Sequence, residues 1–284
     1  MKRLLAAVAL LALAACGGHG AKWPDPSPAL WEVNGPGGQH AWLFGTVHSL
    51  PAGMKWRTGK IDDALAQASV LVVEIADLAD AQAARSAFYR LSTTPGQPPL
   101  TERVPEASRP AVAALLKEAG LGDGDFPATE TWGAAMILAA RVDPGDPANG
   151  VDRALIAGAK RVVGLETFEQ QYGVFDRLAP ADQADLLAAT ARDAGADTAD
   201  KQAVEWLTGD TAALERDSAT GVLADPELRQ ALQIGRNLGW DTRIEQMLAD
   251  GEAPFVAVGE GHMFGEENLP ELLRERGYTV KRVQ

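Results

Sequence analysis

Two histidines in this chain occur in the same local context. His48 and His262 each follow an apolar run typical of a strand, and each closes a Gly-x-x-His motif that begins at Gly45 or Gly259. Glycine lets the backbone turn sharply or approach a ligand closely. Ligands of α/β proteins bind at the carboxyl ends of the strands. The pattern therefore predicts that both histidines face one site, provided that their strands are neighbours in a sheet.

Glu74 adds a carboxylate to this pair, because it directly follows the apolar run Val70–Val73. A buried carboxylate without a partner is costly, and a histidine or a divalent cation would relieve that cost. Two imidazoles and one carboxylate form the ligand set of zinc hydrolases and also suit manganese or iron. The same groups can instead work without a metal, with a histidine as general base that a carboxylate orients. The residues leave both alternatives open.

Each of these residues also has a plain structural explanation. A single Gly-x-x-His is weak evidence, and His48 alone fits a histidine that only holds a loop. Glu74 alone fits an acid at the start of a helix that follows from Asp77. Two such motifs together with a strand-end glutamate are harder to explain by chance. We therefore predict that His48, Glu74 and His262 form one site.

Two further polar features accompany the three residues. Arg236 and Asn237 lie in a helix predicted from about Pro226 to Leu248, next to its apolar face. An arginine there either serves the site or extends over the surface into solvent. Glu166 follows a short predicted strand, and Gln170 lies one turn later. Glu166 is a supporting candidate, whereas Gln170 fits a helix cap.

The surrounding elements follow from periodicity and turn residues. Strands are predicted at 30–33, 41–44, 70–73, 161–165, 254–258 and 278–283, with helices at 58–68, 151–159 and 268–276 and alanine-rich helices through 77–140 and 166–250. Strands near both ends of the chain and helices in the middle predict an α/β (α+β) fold. Its central mixed sheet is built from both chain ends, with flanking helices and a large helical insertion.

Composition limits the class of partner. The chain has 284 residues, 46% of them hydrophobic, and a formal net charge of −13 at pH 7. Such an acidic chain is a poor ligand for nucleic acid phosphates or anionic lipid. We expect no nucleic acid partner. The hydrophobic content suits a globular core.

The start of the chain predicts export. Residues 1–15 form a short basic head and an apolar stretch, as in a signal peptide. Leu13–Cys16 resembles the lipobox of bacterial lipoproteins, and Cys16 is the single cysteine of the chain. The alternative is an ordinary signal peptide that happens to contain a cysteine. We predict lipidation at Cys16, a tether over residues 16–29 and one domain over residues 30–284. A lipid anchor on Cys16 would make the membrane contact, and Gly17, by the usual sorting rule, indicates the outer membrane.

The ordered motifs resemble the TraB/GumN family. They are the segment Trp42–His48, Val72-Val73-Glu74, Val163–Thr167 with Gln170, the pair Arg236-Asn237, and Ala257–His262. The likeness spans the chain from about Leu30 onward and is greatest to the bacterial GumN-like branch. The wider superfamily includes the membrane-tethered Tiki metalloproteases, erythromycin esterase-like hydrolases and ChaN-like proteins.

The resemblance implies an activity and a cofactor. Tiki proteins use two Gly-x-x-His histidines and a glutamate with a divalent cation, and this pattern falls on His48, Glu74 and His262. We therefore expect an envelope-tethered hydrolase, a metallopeptidase that binds manganese, cobalt or zinc and acts on a peptide or small-molecule substrate. In this reading His48, Glu74 and His262 are the metal ligands, and Arg236 steadies the developing oxyanion or a substrate carboxylate. The alternative is a surface binding module that sequesters a peptide or hydrophobic ligand without chemistry.

Overall fold

The computed structural model describes residues 23–143, 145–194 and 196–284. The predicted signal peptide and Cys16 lie outside the described residues. Residues 23–29 of the predicted tether pack on the domain. The Ser27 amide donates to the Leu207 carbonyl at 2.7 Å, and Ala29 is buried in the core.

A mixed sheet is the centre of the fold, as the sequence predicts. Its strands are β1 (Leu30–Asn34), β2 (His40–Thr46), β3 (Val70–Ile75), β4 (Val162–Glu166), β5 (Pro254–Gly259) and β6 (Thr279–Arg282). The six strands lie in the order β4-β3-β5-β2-β1-β6. β4, β3, β5 and β2 run parallel to one another, and β1 is antiparallel to both β2 and β6. The central strand β5 comes from the C-terminal part of the chain and lies between two N-terminal strands.

The helices surround this sheet and build the insertion. They are α1 (Gly59–Gln67), α2 (Ala81–Ser92), α3 (Arg109–Glu118), α4 (Thr131–Val142), α5 (Val151–Gly158), α6 (Phe168–Asp176), α7 (Pro180–Asp193), α8 (Ala196–Thr208), α9 (Thr211–Ser218), α10 (Pro226–Arg229), α11 (Gly235–Ala249) and α12 (Leu269–Glu275). None of the helices in the described ranges is long and apolar enough to cross a membrane.

Apolar side chains form two cores. One lies on the sheet, where Phe44, Val72 and Phe255 are fully buried. The other lies inside the helical insertion, around Trp132 and Leu187. The helices α3, α4 and α7 of the insertion therefore pack around a separate core. Of these, α4 and α7 lie beside the carboxyl ends of β2 and β5.

Candidate functional site at the carboxyl edge of the sheet

The two Gly-x-x-His motifs leave the sheet side by side. β2 and β5 pair in parallel, with Gly45 opposite Val258 and Thr46 opposite Gly259. A Cβ atom on Gly45 would lie 3.0 Å from the Cα of Glu260. Glycine is needed here because the two motifs approach each other at their backbones. The prediction that the strands before Glu74, His48 and His262 lie in one sheet is confirmed.

Glu74 lies inside β3, which continues to Ile75 rather than ending at Val73 as predicted. Its side chain is buried, and both carboxylate oxygens accept hydrogen bonds. Oε1 accepts from the Gly259 amide at 2.7 Å. Oε2 accepts from Arg236 and from Gln171 Nε2, the latter at 2.9 Å. The carboxylate therefore has protein partners on all sides and fixes the first residue of the second motif.

Arg236 lies between two carboxylates. Its guanidinium donates to Glu74 and forms a bidentate pair with Glu166, at 3.0 Å from Nε and 2.8 Å from Nη2. The same group lies over the ring of Trp240, 4.5 Å from its centroid. Only 12% of the side chain is exposed. The alternative of an arginine extended into solvent is wrong, because Arg236 neutralises buried charge.

The helix that carries Arg236 is not continuous α-helix as predicted. Residues Gln230–Ile234 form a π-helical segment between α10 and α11. π-Helical segments within α-helices are rare and often occur at functional sites. Gln233 in this segment donates through Nε2 to the carbonyls of Gly261 and Phe264, at 2.6 and 2.7 Å. The π segment therefore holds the loop that contains the second motif.

His262 is buried and both of its ring nitrogens are engaged. Nε2 lies 3.2 Å from a nitrogen of Arg236, which can only donate. Nδ1 lies 2.7 Å from Asn237 Oδ1, and the Asn237 amide nitrogen donates to the Glu267 carbonyl at 2.9 Å. These partners fix the amide orientation, so His262 carries its proton on Nδ1 and accepts at Nε2. Asn237 is fully buried, and it selects this tautomer.

Burial and charge set the ionisation of this network. Burial lowers the pKa of His262 to about 3, against the opposing charge of Glu74. Burial, the largest single effect, would raise the pKa of Glu74, but the charge of Arg236, the neighbouring histidines and the Gly259 amide together outweigh it and lower the pKa to about 2. At neutral pH the network therefore contains a neutral imidazole, an ionised Glu74 and the Arg236 cation. It is arranged as a permanent ion pair rather than as a proton carrier.

His48 has a different environment. Its Nδ1 lies 2.9 Å from Asp152 Oδ2, and the Thr46 hydroxyl donates to Asp152 Oδ1 at 2.6 Å. Asp152 is buried, whereas 72% of the His48 side chain is exposed. The hydrogen bond to Asp152 raises the pKa of His48 above its ordinary 6.5. Water around the exposed imidazole screens the pair and reduces the size of this shift. His48 therefore holds its proton more strongly than a free histidine.

A close backbone contact positions this pair. A Cβ atom on Gly150, just before α5, would lie 2.4 Å from the carbonyl oxygen of His48. Asp152 is the second residue of α5. Only glycine at 150 allows the helix start to approach the His48 loop, and this approach brings the Asp152 carboxylate to the ring.

The substitution Gly150→Ala is expected to lower the free energy of unfolding by about 1–3 kcal/mol, as overpacking does. It should also lower the pKa of His48, because α5 must move away and weaken the bond to Asp152. Chemical denaturation and NMR titration of the histidines measure the two effects. Gly158→Ala is the matched control in the same helix, since its Cβ would have no neighbour nearer than Arg57 Nη1 at 4.0 Å. An unchanged His48 pKa in Gly150→Ala would contradict this account.

The His48 side chain lines a cavity of about 740 Å³. This volume is within the size range of small-molecule sites. The floor comes from the two motifs, Thr46–His48 and Gly259–Gly261. The walls come from the loop after His48, α4, the end of α7 and α8. Much of the lining is apolar, including Leu50, Met136 and Val142. The cavity joins the sheet edge to the helical insertion.

The structure therefore divides the predicted site in two parts. Glu74, His262, Arg236, Asn237 and Glu166 form the buried network, with His262 Nε2 at 3.9 Å from Glu74 Oε1. His48 faces the cavity instead, and its partner is Asp152. Gln170 caps α6 in a capping box with Thr167, as predicted.

The arrangement of the three predicted metal ligands does not fit one shared cation. Arg236 donates to both Glu74 and His262, so a metal bound between them would have to displace the guanidinium. Within the described part of the chain, no group of three or more His, Cys, Asp or Glu side chains is arranged to hold a metal ion. The divalent cation stays a prediction.

Sequence reasoning missed two residues of the cavity region. Asp152 looks like an ordinary acid in the first turn of a helix, where it favours the helix dipole. Glu260 lies within the second motif, and its Oε2 is buried without a hydrogen-bond partner. Burial raises the pKa of Glu260 to about 8, with Glu205 adding to the effect and His48 opposing it. Position inside a Gly-x-x-His motif was the available signal for Glu260.

Comparisons with known proteins agree with the motif pattern. A model of the TraB/PrgY/gumN family matches residues 29–282. The chain is also similar to the uncharacterized protein YbaP of Shigella flexneri and of Escherichia coli strain K12. Each is 27% identical over 267 residues, covering 87% of this chain and 92% of the relative. No solved structure matches the chain significantly.

Proposed function

The chain belongs to the TraB/PrgY/gumN family, and from this premise we propose that it is a hydrolase whose active site is the cavity beside His48. The resemblance to the Tiki proteins supplies the reaction class, which is hydrolysis of a peptide bond. The substrate is a peptide or a small molecule at the cell envelope.

One observation carries the proposal, namely that His48 of the cavity floor is paired with the buried Asp152 behind it. A buried carboxylate holds Nδ1 at 2.9 Å, which leaves Nε2 for a ligand in the cavity. This is the arrangement of a general base, in which the carboxylate selects the tautomer and stabilises the imidazolium that forms. Neutral His48 would take a proton from the attacking water through Nε2 and then deliver it to the leaving group.

The buried network supports this site without touching the substrate. Neither Arg236 nor Glu74 lines the cavity, and both are fully engaged by protein partners. Through the Gly259 amide, Glu74 fixes the turn whose residues Gly259, Glu260 and Gly261 form the cavity floor. Arg236, Asn237, Glu74 and His262 are therefore positioning residues in this proposal.

Replacement of His48 by alanine tests the proposal. Turnover of a fluorescence-quenched peptide library should fall by roughly 10²–10⁴-fold, the usual contribution of a general base. His40→Ala is the matched control, since His40 is on β2 outside the cavity lining and bonds Glu32 of the neighbouring β1 at 2.9 Å. Equal turnover in the His48→Ala protein and the parent would remove the proposal. A ligand that binds to the cavity and stays intact would instead support the alternative of a sequestering module.

The predicted cation needs its own measurement. Metal analysis of the purified protein, with and without added manganese, cobalt or zinc, decides whether an ion is bound. Turnover in the presence of a chelator then decides whether the reaction depends on it.

The proposed location is the bacterial envelope, through lipid on Cys16. The substitution Cys16→Ser is expected to abolish labelling by a radioactive or clickable fatty acid and to leave an unprocessed precursor. Gel mobility and labelling measure both outcomes. Labelled acyl chains on the substituted protein would contradict lipidation at Cys16.

A further inference from the structure

The charged side chains around the cavity are unevenly distributed. Those in its described lining are Asp143, Asp193, Asp200, Glu260 and His48, with no lysine or arginine among them. Asp193 and Asp200 are exposed at the end of α7 and the start of α8, whereas Glu260 lies at the floor. His48 is the one basic group of this described lining, and burial raises the pKa of Glu260 to about 8, so its carboxyl group is largely protonated at pH 7. The negative charge therefore comes from Asp143, Asp193 and Asp200, and it raises the local concentration of cationic ligands.

The apolar part of the lining indicates a second property of the ligand. Leu50, Met136, Val142 and Ala203 present apolar surface between the acidic residues. Apolar pockets of this size bury most of a small ligand and use a few polar groups to orient it. The floor also holds a buried carboxylate oxygen, Oε2 of Glu260, that lacks a hydrogen-bond partner. A hydrogen-bonding group on a ligand would relieve the cost of that unpaired oxygen.

We infer that the cavity selects a ligand with an apolar body and a positively charged group over the same body with a carboxylate, because three aspartates of the lining outnumber its single basic group, His48. This inference rests on the proposed function for its consequence, which is that the preferred substrate is cationic next to an apolar segment. The apolar part fills the space between α4 and the loop after His48. The positive group lies toward Asp193 and Asp200, and the net charge of −13 reinforces the preference.

Three probes that share one apolar body test the inference. They are 4-butylbenzylamine, 4-butylbenzyl alcohol and 4-butylbenzoate, which are positive, neutral and negative at pH 7. Isothermal titration calorimetry on the full chain in lipid nanodiscs measures their affinities. The amine should bind tenfold or more tightly than the benzoate, with the alcohol between them. The difference should shrink as salt rises, because exposed charges are screened.

Two variants locate the effect. Asp193→Asn with Asp200→Asn should weaken the amine about 3- to 10-fold, as expected for two exposed charge pairs, and leave the alcohol unchanged. Ala140→Trp should fill the cavity from α4 and abolish binding of all three probes. Any heat that remains with this variant comes from partition of the probe into lipid, and it is subtracted from the other titrations. Ala113→Trp, on an exposed position of α3 outside the lining, is its control.

The outcomes separate this inference from the proposed function. Equal or tighter binding of the benzoate, or no binding of any probe above the Ala140→Trp blank, would overturn the inference. The His48→Ala protein should keep the preference for the amine while losing turnover. A preference for the amine in a parent protein without hydrolytic activity would leave the inference standing and remove the hydrolase.

Discussion

Replacing Arg236 by methionine is expected to lower the free energy of unfolding by about 3–5 kcal/mol, the usual cost of removing one partner from a buried ion pair. The guanidinium is the shared partner of Glu74 and Glu166, and all three side chains are nearly inaccessible to water. Methionine fills similar volume but leaves two buried carboxylates without a cation. Chemical denaturation at pH 7 measures the loss.

The stability lost in Arg236→Met is expected to depend on pH. The lowered pKa of Glu74 contributes stability above the carboxyl pKa of the unfolded chain, and that stability is lost as pH falls toward about 2. Without Arg236 the Glu74 carboxylate gains a proton more readily. The difference between the parent and Arg236→Met should therefore be smaller near pH 4 than at pH 7.

Two controls distinguish lost charge balance from lost packing. Arg90→Met removes an exposed ion pair with Glu169 and should leave stability unchanged. The triple variant Glu74→Gln, Glu166→Gln, Arg236→Met removes the charges together and should recover part of the loss. A triple variant no more stable than Arg236→Met would show that packing of the arginine, rather than charge, dominates.

The substitution Asp152→Asn is expected to reduce kcat by roughly 10²–10⁴-fold, the range associated with general acid–base catalysis. The asparagine removes the charge that stabilises protonated His48, and it can hold the ring in the other tautomer. The pKa of His48 should fall toward 6.5, because the bond to Asp152 is the main cause of its increase.

The pH profile follows from the same residue. A general base must be neutral, so activity of the parent should rise with pH above 7 until His48 has lost its proton. In Asp152→Asn this rise should move to lower pH while the maximum falls. NMR titration gives the His48 pKa independently of turnover. For the His48 pKa, Asp143→Asn is the matched control, because Asp143 lines the same cavity but bonds Ser49 rather than the imidazole. A His48 pKa that is the same in the parent and Asp152→Asn would contradict the role of the pair.

The sheet was predictable because its signals are local. Each parallel strand is a short apolar run ended by a change to polar residues, and this pattern indicates a buried strand. The cost of burying Glu74 also indicated a partner. The identity of that partner was not predictable, because Arg236 lies 162 positions away and a periodic helix gives no sign of a π segment. Packing across the sheet edge decides that pairing.

Asp152 was hidden for a different reason. In the sequence it is an acid next to the start of a helix, which is common and usually solvated. Its burial depends on Gly150, whose missing side chain lets the helix start touch the His48 carbonyl. A dependence of this kind involves three segments of chain and cannot be read from any one of them.

The position of β5 between β2 and β3 has a consequence for the timing of assembly. During synthesis, the nascent chain contains His48, Asp152 and the whole helical insertion long before Pro254–Gly259 emerges. Until then β2 and β3 have no common neighbour, and the cavity lacks Gly259–Gly261 as part of its floor. Pairings between distant segments form slowly. A partly made chain therefore carries the His48–Asp152 residues without a complete cavity, and any hydrolytic activity should appear only after the last strands have joined the sheet.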